Sequence, residues 1–202
     1  MLNSLPNILT MSRIAMIPAM VGAFYLDFPV ANWVAFGVFA AAGITDFFDG
    51  MLARSWNQQS ALGRFLDPVA DKLLIAAAIL MLVAFKHIQG LHVLAAVVIL
   101  CRELLVSGLR EFLAEVRVSL PVSRLAKWKT TVQMLALGFL LVDTATPALI
   151  PSPLIGTIGL WLAAVLTLVT GFDYLRAGLR HMRAESPATV PAPSVGAGAP
   201  GS

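Results

Sequence analysis

Long apolar stretches recur at about residues 13–27, 30–48, 69–86, 91–113, 130–149 and 154–175 of this 202-residue chain. Each approaches the ~20 residues that an α-helix needs to cross a bilayer. Because a backbone inside hydrocarbon must satisfy its own hydrogen bonds, stretches of this length can cross only as helices. With 58% apolar and 12% charged residues, the whole chain reads as one all-α integral membrane domain of six transmembrane helices. The run 73–85 is short for a span, and extending it back to Asp67 makes it long enough. Its polar end must then face protein or water rather than lipid.

Charge gives the orientation. With six spans, all of the 14 Lys and Arg except Lys86 fall on one side of the membrane. The positive-inside bias puts that side, with both termini, in the cytoplasm. A basic cytoplasmic face suits anionic head groups and phosphorylated metabolites. Nucleic acid is excluded as a partner, since no soluble basic domain is available to hold it. Cys101 stands alone, which rules out a disulfide framework and a thiolate metal site and leaves a small packing residue. No signal peptide is evident before the first span. Pro6 is expected to break any early helix, leaving about residues 2–12 as an interfacial segment. The membrane domain is expected to end near residue 183, with 184–202 a disordered Ala/Pro/Gly/Ser tail. His87, His92 and His181 read as solvated loop or tail residues, and Tyr25, Phe28 and Trp33 as an interfacial belt.

Within this hydrocarbon the segment 44–72 concentrates acid. Asp46 and Asp49 are i, i+3, and Asp67 and Asp71 are i, i+4, so each pair lies on one face of its own helix. The polar residues Asn57, Gln58, Gln59 and Ser60 between them suit a loop that folds the helices back antiparallel. Both pairs then meet at one level. Uncompensated charge there costs roughly several kcal/mol per group, so the four carboxylates call for cations. Oxygen donors select hard divalent ions, Mg²⁺ first and Mn²⁺ second.

Basic residues surround the same level. Asn7, Thr10 and Arg13 share a helix face and form either a wall of the polar site or a capping and snorkelling set. Arg102 and Arg110 lie eight positions apart on one face, Glu103 and Glu111 on another. The arginines read as a phosphate-facing stripe or as paired structural charges. Arg124, Lys127 and Lys129 are either topology anchors or a grip on a phosphate monoester. A pair of divalent ions beside such a pocket is the layout for phosphoryl transfer, with Asp71 the candidate general base.

The pattern Asp46-x2-Asp49-Gly50-x2-Ala53-Arg54-x8-Gly63-x3-Asp67-x3-Asp71 resembles, at every fixed position, the signature of the CDP-alcohol phosphotransferases. That resemblance implies a six-span fold, a site on the cytoplasmic side of the membrane, homodimeric assembly and two Mg²⁺ or Mn²⁺ ions. It implies that Asp46, Asp49, Asp67 and Asp71 hold the metals, with Asp71 also the base. Gly50, Ala53, Arg54, Ser60 and Gly63 would line a cytidine diphosphate, with Asn7 and Thr10 beside them. Leu5-Pro6-Asn7-x2-Thr10-x2-Arg13, Arg102-Glu103-x3-Ser107-x2-Arg110-Glu111, Lys127-x-Lys129-Thr130-x2-Gln133-Met134 and Gly171-x2-Tyr174 are similar to bacterial phosphatidylglycerophosphate synthases. The implied substrates are CDP-diacylglycerol and glycerol 3-phosphate, drawn from among membrane lipids and the cytoplasm. Arg110, Arg124, Lys127 and Lys129, with Arg13 and Arg102, are then the candidates for the acceptor's phosphate. An inositol-phosphate, serine or phosphatidylglycerol acceptor is the alternative within the family. A divalent-cation transporter is the alternative outside it, although only Asp27 and Asp143 lie near the outer face.

Overall fold

The computed structural model describes residues 5–56, 61–115 and 124–184. Within these, the side chains of residues 5–9, 47–56, 61–65, 67, 115, 124, 177 and 179–184 lie outside the description. The described residues form six α-helices, one 3₁₀ turn and no strand. They are α1 (Leu5–Ala23), α2 (Val30–Trp56), α3 (Ala61–Ala84), α4 (His92–Glu115), α5 (Arg124–Val142) and α6 (Ser152–Ala184), with the turn Asp143–Ala145 before α6. Of the expected disordered tail, 184–202, Ala184 is the last residue of α6, and 185–202 lie outside the described residues.

Three segments are by themselves long and apolar enough to cross a membrane: His92–Ala114, Leu125–Ala145 and Ser152–Arg176. Val30–Asp46 is a shorter apolar helix. The helices are apolar outside as well as inside, the signature of a bundle solvated by lipid. On α6, Leu154, Ile158, Leu162, Val165, Val169 and Phe172 make one exposed stripe at helical spacing. Cys101, Leu104 and Leu105 of α4 are exposed in the same way.

Helix packing follows a ring. α1 packs on α2, α2 on α5, α5 on α6, α6 on α4, α4 on α3, and α3 returns to α1. Between lipid-solvated helices no hydrophobic gradient drives association, so close approach by small residues carries the packing. Ala35, Ala42, Ala78, Ala95, Ala96, Ala136, Ala163 and Ala164 are buried at these contacts. The tightest seam is α5 on α6. A Cβ on Gly156 would lie 2.7 Å from Leu140 Cγ, and one on Gly159 would lie 2.9 Å from Ala136 Cβ.

Two expectations need correction. Pro6 does not break the first helix, which begins at Leu5. A proline in the first turn has no intrahelical N–H to lose, and its fixed φ suits a helix start. His87 is not a solvated loop residue. Its Nδ1 lies 2.9 Å from Asp143 Oδ2, with the imidazole 17% exposed. Lys86 takes a left-handed φ of 62°, turning the chain so that the N–H groups of His87 and Ile88 both donate to the Leu82 carbonyl. The same end of the bundle is tied by Asn32 Nδ2, which donates to the Leu141 carbonyl at 2.9 Å, and by the hydroxyl pair Thr146–Ser152 at 2.9 Å.

The α5–α6 seam generates a stability prediction. Gly156→Val should destabilise the detergent-solubilised protein by about 1–3 kcal/mol, as overpacking does. Gly37→Ala, where nothing lies within 4 Å of the added carbon, should hold or raise Tm. Thermal melts of both variants check the contrast, and equal melting shifts would refute the packing account.

Candidate active site

The acidic segment folds as the spacing predicts at the level of the backbone. Asp46 and Asp49 are in α2, and Asp67 and Asp71 are in α3. Ser60, with the rest of 57–60, lies outside the described residues, as do the side chains of Asp49, Gly50, Ala53, Arg54, Gly63 and Asp67. One member of each pair is therefore observed in full. Asp46 and Asp71 line the same cavity, and Asp71 has Asp46, Lys72, Glu103 and Arg13 as its electrostatic neighbours.

Arg13 reaches this cavity from α1. Its guanidinium is 1% exposed, and Nη1 lies 2.8 Å from Asp46 Oδ1, while the Asp46 side chain is 49% exposed. A guanidinium buried this deeply requires a carboxylate close by. Asp46 nevertheless keeps an open side facing the cavity. Thr10, one helical turn before Arg13, is also buried, and the Asn7 side chain lies outside the description. Asp46 and Asp71 have Arg13 and Lys72 as neighbouring cations, and their carboxylate oxygens are the donor type that a hard divalent cation takes.

The cavity at Asp46 and Asp71 has a volume of about 760 Å³ and runs the length of the α2–α5 groove. Below its charged end it is hydrocarbon: Phe36, Phe39, Leu135 and Phe139 line it as far as Trp33 and Ile150 at the opposite end of the bundle. Glycines let side chains of the facing helix come close along the groove. A Cβ on Gly43 would meet the Met134 methyl at 2.7 Å, and one on Gly138 would meet Phe36 at 3.2 Å.

A second cavity of about 410 Å³ lies between α3, α4, α5 and α6, and its walls are polar. Lys72, Arg102, Arg110 and Lys129 face it, together with Asp71, Glu103 and Glu111. Both cavities share two residues, Asp71 and Thr130. Lys129 is 6% exposed and ion-paired with Glu103. Arg102, 10% exposed, contacts the same Glu103 carboxylate oxygen at 3.1 Å. The other guanidinium nitrogen, Nη2, donates to Thr170 Oγ1 at 2.8 Å. Lys72 donates to the Pro68 carbonyl at 2.8 Å.

Of the basic residues singled out in the sequence, Arg102, Arg110 and Lys129 come together at the polar cavity. Arg13 stands instead at the apolar one, committed to Asp46. Lys127 is exposed and lines neither cavity, and the Arg124 side chain lies outside the description. The choice between a phosphate-facing stripe and paired structural charges turns out not to be exclusive for Arg102, which faces the cavity and is paired. Sequence reasoning missed Glu103 as the shared counter-ion, and Thr170 altogether. Adjacency of Arg102 and Glu103 was the available signal: side chains this long can meet from neighbouring positions although their Cβ atoms point apart.

Comparison with known proteins agrees with this architecture. A family model described as CDP-alcohol phosphatidyltransferase matches residues 3–169. The chain is 48% identical over 174 residues to the CDP-diacylglycerol–glycerol-3-phosphate 3-phosphatidyltransferase of Rickettsia bellii, covering 86% of this chain and 94% of the relative. It is 44% identical over 180 residues to the protein of the same name from Pectobacterium atrosepticum, covering 88% and 96%. The Cereibacter sphaeroides protein of that name is 36% identical over 217 residues, covering 90% and 98%. With its helical membrane bundle, its acidic α2–α3 hairpin and a family match over most of its length, the chain belongs to the CDP-alcohol phosphatidyltransferases.

Proposed function

We propose that this protein transfers the phosphatidyl group of CDP-diacylglycerol to glycerol 3-phosphate, giving phosphatidylglycerophosphate and CMP. One observation carries the reading: a basic polar cavity and a hydrocarbon groove adjoin at Asp71 and Thr130. A reaction between a water-soluble phosphate ester and a lipid needs two such compartments with a common wall. An acceptor with a phosphate monoester makes use of Arg102, Arg110 and Lys129, whereas serine has no phosphate to offer them. The relatives that carry the glycerol-3-phosphate name favour that acceptor over inositol phosphate.

In this reading the donor's acyl region lies along the α2–α5 groove and its cytidine diphosphate sits by the α2–α3 hairpin, against Gly50, Ala53, Arg54, Ser60 and Gly63, with Asn7 and Thr10 close by. Asp46, Asp49, Asp67 and Asp71 are the residues that would hold two Mg²⁺ or Mn²⁺ ions. Such ions, when bound, neutralise charge on a diphosphate and on its leaving oxygen. Arg13 holds Asp46 in place from α1. Arg102, Arg110 and Lys129 orient the acceptor's phosphate, and Arg124 and Lys127 add positive charge to the same helix end. Asp71, on the wall between the compartments, takes the proton of the acceptor's 1-hydroxyl. The hydroxyl oxygen bonds to the lipid-bearing phosphorus, the bond from that phosphorus to the bridging oxygen breaks, and CMP leaves with that oxygen. The protein works as a homodimer in the inner membrane, with its site and both termini on the cytoplasmic side, a reading supported by the one-sided basic residues.

Two outcomes follow. With radiolabelled CDP-diacylglycerol, CMP release should require glycerol 3-phosphate, stop on chelation, and return with Mg²⁺ or Mn²⁺. Asp71→Asn should lower that rate by roughly 10²–10⁴-fold while CDP-lipid binding persists. Equal CMP release with serine or inositol phosphate as acceptor would overturn the assignment. For orientation, a green fluorescent protein fused after residue 202 should fluoresce, and alkaline phosphatase fused there should stay inactive; the reverse pattern would invert the topology.

A further inference from the structure

Arg102 is held from three sides, by Glu103, by Thr170 and by the backbone of α6. Its guanidinium has five N–H donors and no acceptor. Nη1 is engaged by Glu103 at 3.1 Å, and Nη2 by Thr170 Oγ1 at 2.8 Å. The Thr170 hydroxyl is already oriented, because its own hydrogen goes to the Leu166 carbonyl at 2.8 Å. Its lone pairs are thereby turned to accept from Arg102 and from nothing that competes with it. The third side is backbone. A Cβ on Gly171 would lie 3.0 Å from Arg102 Cγ and 3.2 Å from Nε, so the stem and the Nε edge pack flat on α6. Arg102 Nε is buried and has no hydrogen-bond partner among the described residues, consistent with that packing. Glu103 and Thr170 each take one N–H, so among the described residues one N–H on each terminal nitrogen remains for a ligand, and the residue lines the polar cavity. A guanidinium held in this way beside a cavity suits the oxygens of a phosphate.

We infer that Thr170 and Gly171 of α6, together with Glu103, are positioning residues that aim the Arg102 fork at the phosphate of the acceptor. The inference rests on the reading of the polar cavity as the acceptor site. It assigns to α6 a part in substrate selection: Thr170 sets the roll of the guanidinium, and Gly171 sets how closely its stem approaches. Glu103 also binds Lys129 through the same oxygen, so one carboxylate holds the two cations side by side.

The test is steady-state kinetics of the full-length protein in mixed micelles, with KM measured separately for each substrate. Thr170→Val removes the acceptor oxygen at constant shape. It should raise KM for glycerol 3-phosphate roughly tenfold or more, as losing a hydrogen bond to a charged group does, with KM for CDP-diacylglycerol unchanged. Thr170→Ser should restore the parent value. Gly171→Ala should shift the same constant by displacing the stem. In an Arg102→Gln background, Thr170→Val should add nothing, whereas a purely structural threonine would add its full effect. If Arg102→Gln raises KM for glycerol 3-phosphate and Thr170→Val does not, the positioning role is wrong and the acceptor site stands. If Arg102→Gln also leaves that KM unmoved, the acceptor site itself is wrong. A Thr170→Val variant that melts early and loses affinity for both substrates alike would equally overturn the inference.

Discussion

The ion pair between Arg13 and Asp46 is the constraint around which the reactive end of the bundle is organised. A guanidinium 1% exposed among lipid-solvated helices is tolerable only against a carboxylate, and the 2.8 Å contact supplies one. That contact joins α1 to α2 at the level where the acidic hairpin begins. It also fixes one edge of Asp46 and leaves the other turned to the cavity it shares with Asp71. Charge near the reaction level is thus paired across helices as well as along them. Farther along, Glu103 does for Arg102 and Lys129 what Asp46 does for Arg13.

Much of this was legible in the sequence because hydrocarbon leaves few choices. Apolar stretches of spanning length can only be helices, and six helices are what the described residues form. The i, i+3 and i, i+4 spacings of the four aspartates assigned them to helix faces, and Asp46 and Asp71 do meet at one cavity. Cross-chain choices were less legible. Nothing in the spacing of Arg102 and Arg110 indicates that Thr170, 68 positions later, accepts from the first of them. Nor does it indicate that Glu103 is shared with Lys129, because residue periodicity describes one helix and not its neighbour. His87 was misread for a similar reason: its partner, Asp143, belongs to a turn 56 positions away.

The two cavities divide labour along a chemical boundary. The groove between α2 and α5 brings Met134 against Gly43 and Phe36 against Gly138, and owes its character to the aromatic rings that line it. The polar cavity owes its character to side chains that are themselves paired, so its cations are held at defined places before any ligand arrives. Preorganised cations bind a phosphate without first paying to be immobilised. Thr130 and Asp71 stand where the compartments touch, the one place from which a group can address both an alcohol in water and a phosphodiester in lipid.

The ring order of the helices bears on how the protein is made. Synthesis proceeds from the N-terminus, yet α2 has α5 as its neighbour on the side away from α1. While α3 and α4 are being inserted, the flank of α2 that bears Phe36 and Gly43 faces bare lipid, and only the arrival of α5 encloses it. The acidic hairpin therefore enters the bilayer before the basic wall contributed by Lys129 exists. Arg13, already inserted ahead of it in α1, is a countercharge that Asp46 has from the start.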